Sequence, residues 1–465
     1  MNVDENRENN LCQVLKLLLC NLTDLIQQTD LSTIFVDLRA QPCLIFCCLF
    51  LLLPKNLTDA EPMKKLIFLS CLLILAAVQL VPACTTAIIS GKFTPDGRPL
   101  LWKNRDTGDL DNKLMYFTDG KYAYIGLVNS KDTTGSEVWT GMNTAGFAIM
   151  NSVSYNLNTK EDTVAGENEG KVMRQALQQC ATVDDFENLL KTLRKPYGLE
   201  TNFGVIDAMG NGAYFETSNN TYYKISVNDP VAAPMGYLIR TNYSFTGQPD
   251  EGQGYIRYLT AEKLFYQASA TNNLTPEFIL RDASRCLTHS LTETDLKQVQ
   301  TADKEKFVWF TDFIPRFSTA ASVVIQGIRT GESPSLTTMW TVLGFPLCSV
   351  VYPVWFNEEH RLPSLLAGEK GGNAPLCDKA LKLKDRCFPV KRGHGNDYLN
   401  LPALYNRAGS GIMQQLSPVE EQIFAEVKTR LETWRKTLPA ADELKGFYKM
   451  LDDLIAESYL RLFGL

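Results

Sequence analysis

From residue 84 onward the chain alternates short apolar runs with turn residues. Runs at 85–93, 99–104, 122–129, 136–140, 145–154, 201–207 and 211–217 are rich in β-branched and aromatic residues and are separated by Gly, Asn and Asp. Such runs predict short strands. From about 168 to 194 the apolar positions recur at helical spacing, with Thr182 and Asp185 three apart as a cap. Helices are predicted again near 255–270, 275–287 and 291–299, and strand sequence returns at 320–328 and about 337–343. Blocks of strands followed by blocks of helices predict an α+β layered fold. Residues 362–415 are poorer in pattern. Beyond them Ser417-Pro418-Val419-Glu420 reads as a capping box with proline at the first helical position, opening a helical part over about 416–465. A second helix is predicted there from about Ala441 to Phe463, packed on the same domain.

The first 83 residues follow a different pattern. Met63-Lys64-Lys65 precedes an apolar run from Leu66 to Leu80, which ends in Val81-Pro82-Ala83. A basic start, an apolar stretch and small residues at −3 and −1 predict a secretory signal peptide over 63–83, cleaved after Ala83. The run is also just long enough for a membrane anchor, but it ends in a cleavage-like sequence and meets no basic stop. Residues 1–62 hold an apolar stretch, Cys43 to Leu53, too short to span a bilayer. They read as an upstream, non-native leader ahead of a start at Met63, leaving 84–465 as the working domain. The mature form is then expected to keep no stable membrane span and to be secreted or periplasmic.

Composition removes several function classes. The 465 residues carry 46 Lys+Arg against 52 Asp+Glu, a net charge of -6 with no basic footprint for nucleic acid. Only three histidines occur, His289, His360 and His394, far apart in sequence. A His-rich metal site is excluded and no metal or cofactor is expected; a Cys–His pair is disfavoured. Six of the twelve cysteines precede residue 84. Cys377 and Cys387 are candidates for a disulfide in an exported protein. Trp340 and Trp355 read as core residues or as the lining of an acyl pocket.

Cleavage after Ala83 makes Cys84 the first residue of the mature chain. An N-terminal thiol lies beside its own α-amine, whose pKa near 7.7–8.0 lets it accept the thiol proton without any histidine. A lipid-modified cysteine and an ordinary buried thiol are the competing readings. The sequence that follows, CTTAIISGKFTPDGRPLLWKNRDTG, is a hairpin about Pro95-Asp96-Gly97. Folding it there places Cys84 opposite a residue between Asp106 and Asp109, so that Asp106 can hold the amino group or thiol. Asn104 and Asp106 share one strand face. Lys103 or Arg105 adds positive charge that favours a thiolate.

Cys-Thr-Thr at a processed N-terminus, the T-x-D-G turn and Asn104-Arg105-Asp106 resemble the N-terminal nucleophile (Ntn) hydrolases of the acyl-CoA:isopenicillin N acyltransferase and carcinine-hydrolase-like peptidase family. That family is related more distantly to choloylglycine hydrolases, penicillin V acylases and acid ceramidase. Gly141 to Tyr155, Thr201 to Glu216, Leu238 to Phe245 and the run around Arg316 resemble further family segments. The resemblance implies a four-layer αββα sandwich with a C-terminal helical extension. It implies an exported amidohydrolase or acyltransferase that cleaves the linear C–N bond of a small N-acyl amide through a Cys84 thioester. Cys84, Asp106, Asn242, Asn151 and Arg316 are the implied catalytic residues, the two asparagines serving the oxyanion; Lys103, Asn104 and Arg105 are the implied substrate contacts. A dipeptidase or a bile-salt or penicillin acylase of the same superfamily is the nearest alternative, and an idle surface lipoprotein the more distant one. Where choloylglycine hydrolases carry Arg-Asn-x-Asp, this chain has Lys103-Asn104-Arg105-Asp106, which argues against bile-salt specificity.

Overall fold

The computed structural model describes residues 83–159, 168–299, 305–369 and 371–465, all within the compact unit Leu80–Leu465. The expected leader, residues 1–62, and the expected signal peptide through residue 82 lie outside the described residues.

The first strands come from β-branched and apolar runs: β1 (Thr85–Ile89), β2 (Leu100–Asp106), β3 (Asn112–Phe117), β4 (Tyr124–Asn129), β5 (Thr140–Asn143) and β6 (Ala148–Val153). Helices α1 (Glu169–Gln179) and α2 (Val183–Thr192) follow, and α2 starts on the expected box. There Thr182 Oγ1 accepts the Asp185 N–H, and Asp185 reaches back to the Thr182 N–H. Next come β7 (Thr201–Ile206), β8 (Gly212–Thr217), β9 (Tyr222–Ser226), β10 (Tyr237–Arg240) and helix α3 (Tyr255–Ala270). Residues 275–287 form only one short turn and a π-turn, Ile279–Ala283. The helix expected at 291–299 is absent. That stretch instead supplies the second strand of a small ribbon, β11 (Thr288–His289) with β12 (Thr294–Asp295), because Glu293 takes a positive φ of 53° and turns the chain. The remaining elements are β13 (Phe307–Trp309), β14 (Thr319–Gln326), β15 (Thr338–Leu343), β16 (Tyr352–Val354), α4 (Pro375–Cys387), β17 (Tyr398–Asn400), α5 (Ile412–Trp434) and α6 (Ala441–Phe463).

Two antiparallel sheets dominate, one of six strands ordered β10-β1-β2-β14-β15-β16 and one running β3 to β9 in sequence order. Their facing sides share a core that includes Ile88, Leu101, Met150 and Tyr214. Gly204 in β7 marks the close approach: a Cβ there would sit 2.3 Å from Met150 Cε and 3.2 Å from Ile88 Cδ1. The outer face of the seven-stranded sheet is covered by α1 and α2, where Phe186 meets Phe203 and Phe215 at centroid distances of 5.5 and 5.1 Å. The outer face of the six-stranded sheet is covered by α3 and the C-terminal helices. Trp102 stacks on Phe265 at 5.7 Å, Trp340 packs on Phe424 at 5.2 Å, and Trp355 meets Trp434 edge-on at 5.2 Å. The order is therefore helix, sheet, sheet, helix, a four-layer αββα sandwich. Trp340 and Trp355 are core residues. Among the described residues no helix is long and apolar enough to cross a membrane.

Two expectations about the C-terminal half are corrected. Pro418 lies inside α5, which starts at Ile412, so the helix does not begin at Ser417. Gln414 Oε1 accepts the Asn406 and Gly411 N–H groups and fixes the earlier start, while Ser417 Oγ is held by Arg281. Cys377 and Cys387 sit ten residues apart on one helix, which separates them by about 15 Å along its axis and forbids a bond.

Candidate active site

The β1–β2 hairpin pairs Thr85 with Asn104 and Thr86 with Lys103, and continuing that register sets Cys84 opposite Arg105. The expected partner lay at 106 to 109. The shift has a local cause: β1 ends at Ile89, and a 3-10 turn over Gly91–Phe93 takes the residues expected to extend it. Ser90 caps that turn by accepting the Lys92 N–H at 3.4 Å.

Side chains then divide by strand alternation. Cys84, Thr86, Lys103 and Arg105 fall on the face turned to the other sheet, where Thr86 Oγ1 accepts the Tyr214 hydroxyl at 2.9 Å. Cys84 is buried at 6% exposure. Lys103 Nζ donates to Asn151 Oδ1 at 2.6 Å and to the Trp139 carbonyl at 2.8 Å. The Arg105 guanidinium donates to Asn112 Oδ1 and, at 2.7 Å, to Asn129 Oδ1, and lies 5.0 Å from the Trp139 ring centre. Burial pulls Lys103 down to about 8 and Arg105 down to about 10, while a negative charge on Cys84 would raise both. Two desolvated cations thus stand on the same face of the hairpin as the thiol, Arg105 opposite it and Lys103 on the diagonal.

Asn104 and Asp106 occupy the opposite face. Asn104 Nδ2 donates to the Ile314 carbonyl at 3.1 Å, leaving its buried Oδ1 without a partner. Asp106, buried at 1%, accepts from Arg316 Nε at 2.7 Å and from Thr319 Oγ1 at 2.6 Å. Arg316 and Asp106 are therefore brought together as an ion pair, with Thr319 and Asp106 facing each other across β14 and β2.

Asn242 is wholly buried just beyond β10. Its Nδ2 donates to the Val153 carbonyl at 2.8 Å, and its Oδ1 accepts from Arg257 Nη2 at 2.6 Å. It thus meets the end of β6, two residues past Asn151, whose own Nδ2 donates to Thr201 Oγ1 at 3.1 Å. The loop after Asn242 is anchored by Glu216, which pairs with Arg240 at 2.6 Å and accepts the Phe245 and Thr246 N–H groups.

Arg257 is the residue that sequence reasoning missed. It lies on α3 at 1% exposure, and its Nη1 donates to the Cys84 carbonyl at 2.6 Å and to Thr85 Oγ1 at 2.9 Å. With Nη2 on Asn242, one guanidinium links the start of β1 to the asparagine proposed for the oxyanion. Burial, with Arg316 nearby, pulls it down to about 9. An arginine in a 16-residue helix otherwise reads as a solvated position, and only its aim into the sheet reveals it.

A family profile described as acyl-coenzyme A:6-aminopenicillanic acid acyl-transferase matches residues 93–299. A Caenorhabditis elegans ortholog of N-acylethanolamine-hydrolyzing acid amidase is similar in structure at 14% identity, with 54% of this chain and 94% of that one covered and a TM-score of 0.33. A mutant conjugated bile acid hydrolase from Clostridium perfringens matches at 12% identity, 59% and 93% coverage and a TM-score of 0.35. Penicillin V acylase from Agrobacterium tumefaciens matches at 13% identity, 59% and 86% coverage and a TM-score of 0.33. No curated protein matched the sequence.

Proposed function

From a chain that resembles the amide-cleaving Ntn hydrolases and acyltransferases, we propose that it is an exported cysteine amidohydrolase or acyltransferase acting on a small N-acyl amide. Cleavage after Ala83 frees the α-amine of Cys84, which takes the thiol proton. The thiolate attacks the amide carbonyl, and the carbonyl π electrons move to oxygen to give a tetrahedral oxyanion. Asn242 uses one amide N–H on Val153, and its other N–H is left for that oxyanion; a backbone N–H near Asn151 supplies the second donor. Collapse breaks the C–N bond, the protonated amine of Cys84 returns its proton to the leaving nitrogen, and the acyl group stays as a thioester. Water then gives the acid, or a second amine gives a new amide. In this reading Asp106 and Arg316 act as one unit that fixes the end of β2 beside the Cys84 backbone, while Lys103 and Arg105 hold the thiolate and contact the substrate.

The observation that carries the proposal is the burial of Cys84 on the sheet-facing side of the hairpin, opposite Arg105 and diagonal to Lys103. The test is direct. Protein exported with residues 63–83 as its leader is sequenced from its N-terminus, weighed intact, and assayed on N-acyl amides that include bile-salt conjugates, penicillin V and short N-acyl amino acids. A free Cys84 terminus with turnover abolished in Cys84→Ser is expected. A diacylglyceryl adduct at Cys84, or full activity in Cys84→Ser, would overturn it.

A further inference from the structure

The six described cysteines are all buried thiols, and two of them meet. Cys348 ends the 3-10 turn Pro346–Cys348 that leads from β15 to β16, and Cys387 ends α4. Their sulfurs lie 3.6 Å apart, both side chains at 0% exposure, and the pair is separated by 39 positions in sequence. Among the described residues no other two cysteine sulfurs come this close: Cys377 Sγ faces the Leu110 carbonyl at 3.5 Å, and Cys286 Sγ interacts with Thr288.

We propose that Cys348 and Cys387 form a disulfide in the mature protein, so that α4 is bolted covalently to the turn between the last two strands of the six-stranded sheet. The sulfurs need approach by only about 1.5 Å to reach bonding distance, which small side-chain rotations supply. Phe345, which caps the start of the turn three residues before Cys348, packs on Phe388 at a centroid distance of 5.7 Å and already holds the two segments together. Closure belongs to folding, since neither sulfur is reachable afterwards, and burial with the neighbouring thiol pushes Cys348 well above its ordinary value. The oxidant is a low-molecular-weight or protein disulfide. One cysteine thiolate attacks it, giving a mixed disulfide and releasing one thiolate. The second cysteine thiolate then attacks the mixed disulfide and releases the other. Two thiols become one cystine, and the two protons they give up end on the two thiols to which the oxidant is reduced. The bond also has a functional consequence: it withdraws two sulfurs from oxidation chemistry and leaves Cys84 as the thiol with activating cations around it.

The proposal rests on the export reading, because a disulfide of this kind persists in an oxidising compartment. The experiment separates the two. Exported protein is denatured without reductant and alkylated with iodoacetamide, then reduced and alkylated with N-ethylmaleimide before peptide mapping. The second label is expected on Cys348 and Cys387, and the first on Cys84, Cys180, Cys286 and Cys377. In Cys348→Ala the first label should appear on Cys387. Chain 84–465 refolded in a glutathione/glutathione-disulfide buffer gives the same readout without any export step, so a failed leader does not hide the pair. Iodoacetamide on both Cys348 and Cys387 of the wild-type chain, under both preparations, would overturn the inference, as would either residue mapped to another partner.

Discussion

Replacing Arg257 by methionine tests the one contact that joins the Cys84 backbone to Asn242. The substitution keeps most of the apolar stem and removes every donor. The Cys84 carbonyl and Asn242 Oδ1, both accepting at 2.6 Å, then lose their charged partner inside the protein. An orphaned buried acceptor costs about 1–3 kcal/mol, so the two together cost roughly 2–6 kcal/mol. Part is recovered, because the guanidinium no longer has to be desolvated, the same burial that pulls its pKa down. A net stability loss of about 2 kcal/mol is expected, read as a lower urea midpoint at unchanged slope. The effect on turnover should be larger than stability alone implies. If the nucleophile and the oxyanion donor are both misplaced, about 3 kcal/mol of transition-state stabilisation is lost, which is roughly a hundredfold in kcat/KM. The loss should fall on kcat with KM little changed, and Arg257→Lys should recover part of it by restoring one charged donor. Arg257→Met that loses stability yet keeps wild-type kcat would refute the reasoning, and Arg257 would then be a structural residue only.

Three further outcomes follow from the same contacts. Lys103 titrates near 8 in the fold against about 10.4 in an unfolded chain, so between those values the unfolded state binds more protons and stability rises with pH. Urea midpoints at pH 8 and pH 10 should show this rise, diminished in Lys103→Met, while turnover falls above pH 8 as the charge beside Cys84 is lost; an unchanged slope in the variant would remove Lys103 as the cause. Glu420 pairs with Arg285 and accepts the Val351 N–H at 2.9 Å, so Glu420→Ala strands a buried cation and should cost about 3–5 kcal/mol in denaturant titration. Phe186→Ala empties the centre of the core beneath α2 and should cost about 3–5 kcal/mol while leaving KM unaltered, because that core lies on the far side of the seven-stranded sheet from Cys84.

Local chemistry made much of this protein legible in its sequence. Helix α3 runs over the predicted 255–270. The Thr182–Asp185 box caps α2, and the runs at 201–207 and 211–217 become the hairpin β7–β8. Signals of this kind are satisfied within a few residues, so neighbours in sequence suffice to read them. The alternation of β2 likewise puts Asn104 and Asp106 on the face opposite Lys103 and Arg105 from the order of residues alone.

Other features depended on what the chain packs against. The hairpin register moved because a three-residue turn, stabilised by Ser90, displaced the bend from Pro95-Asp96-Gly97 toward Thr94. Pro418 was absorbed within α5 because Gln414 had already secured the helix start through Asn406 and Gly411. The pairing of Cys387 with Cys348 in place of Cys377, and the reach of Arg257 to Cys84 across 173 positions, join residues that no spacing rule connects. Their partners are set by how helices lie over a sheet, and a long side chain or a thiol records that only when the layers are assembled. The sequence by itself marked β1, β2, β4 to β8, β14 and β15, the helices α1, α2, α3 and α6, and the cysteine that starts the proposed mature chain, but not β3, β9, β16 or α4. The tertiary structure decided which buried donors and cations surround it, because burial and partner choice belong to the packed layers and not to the local run of residues.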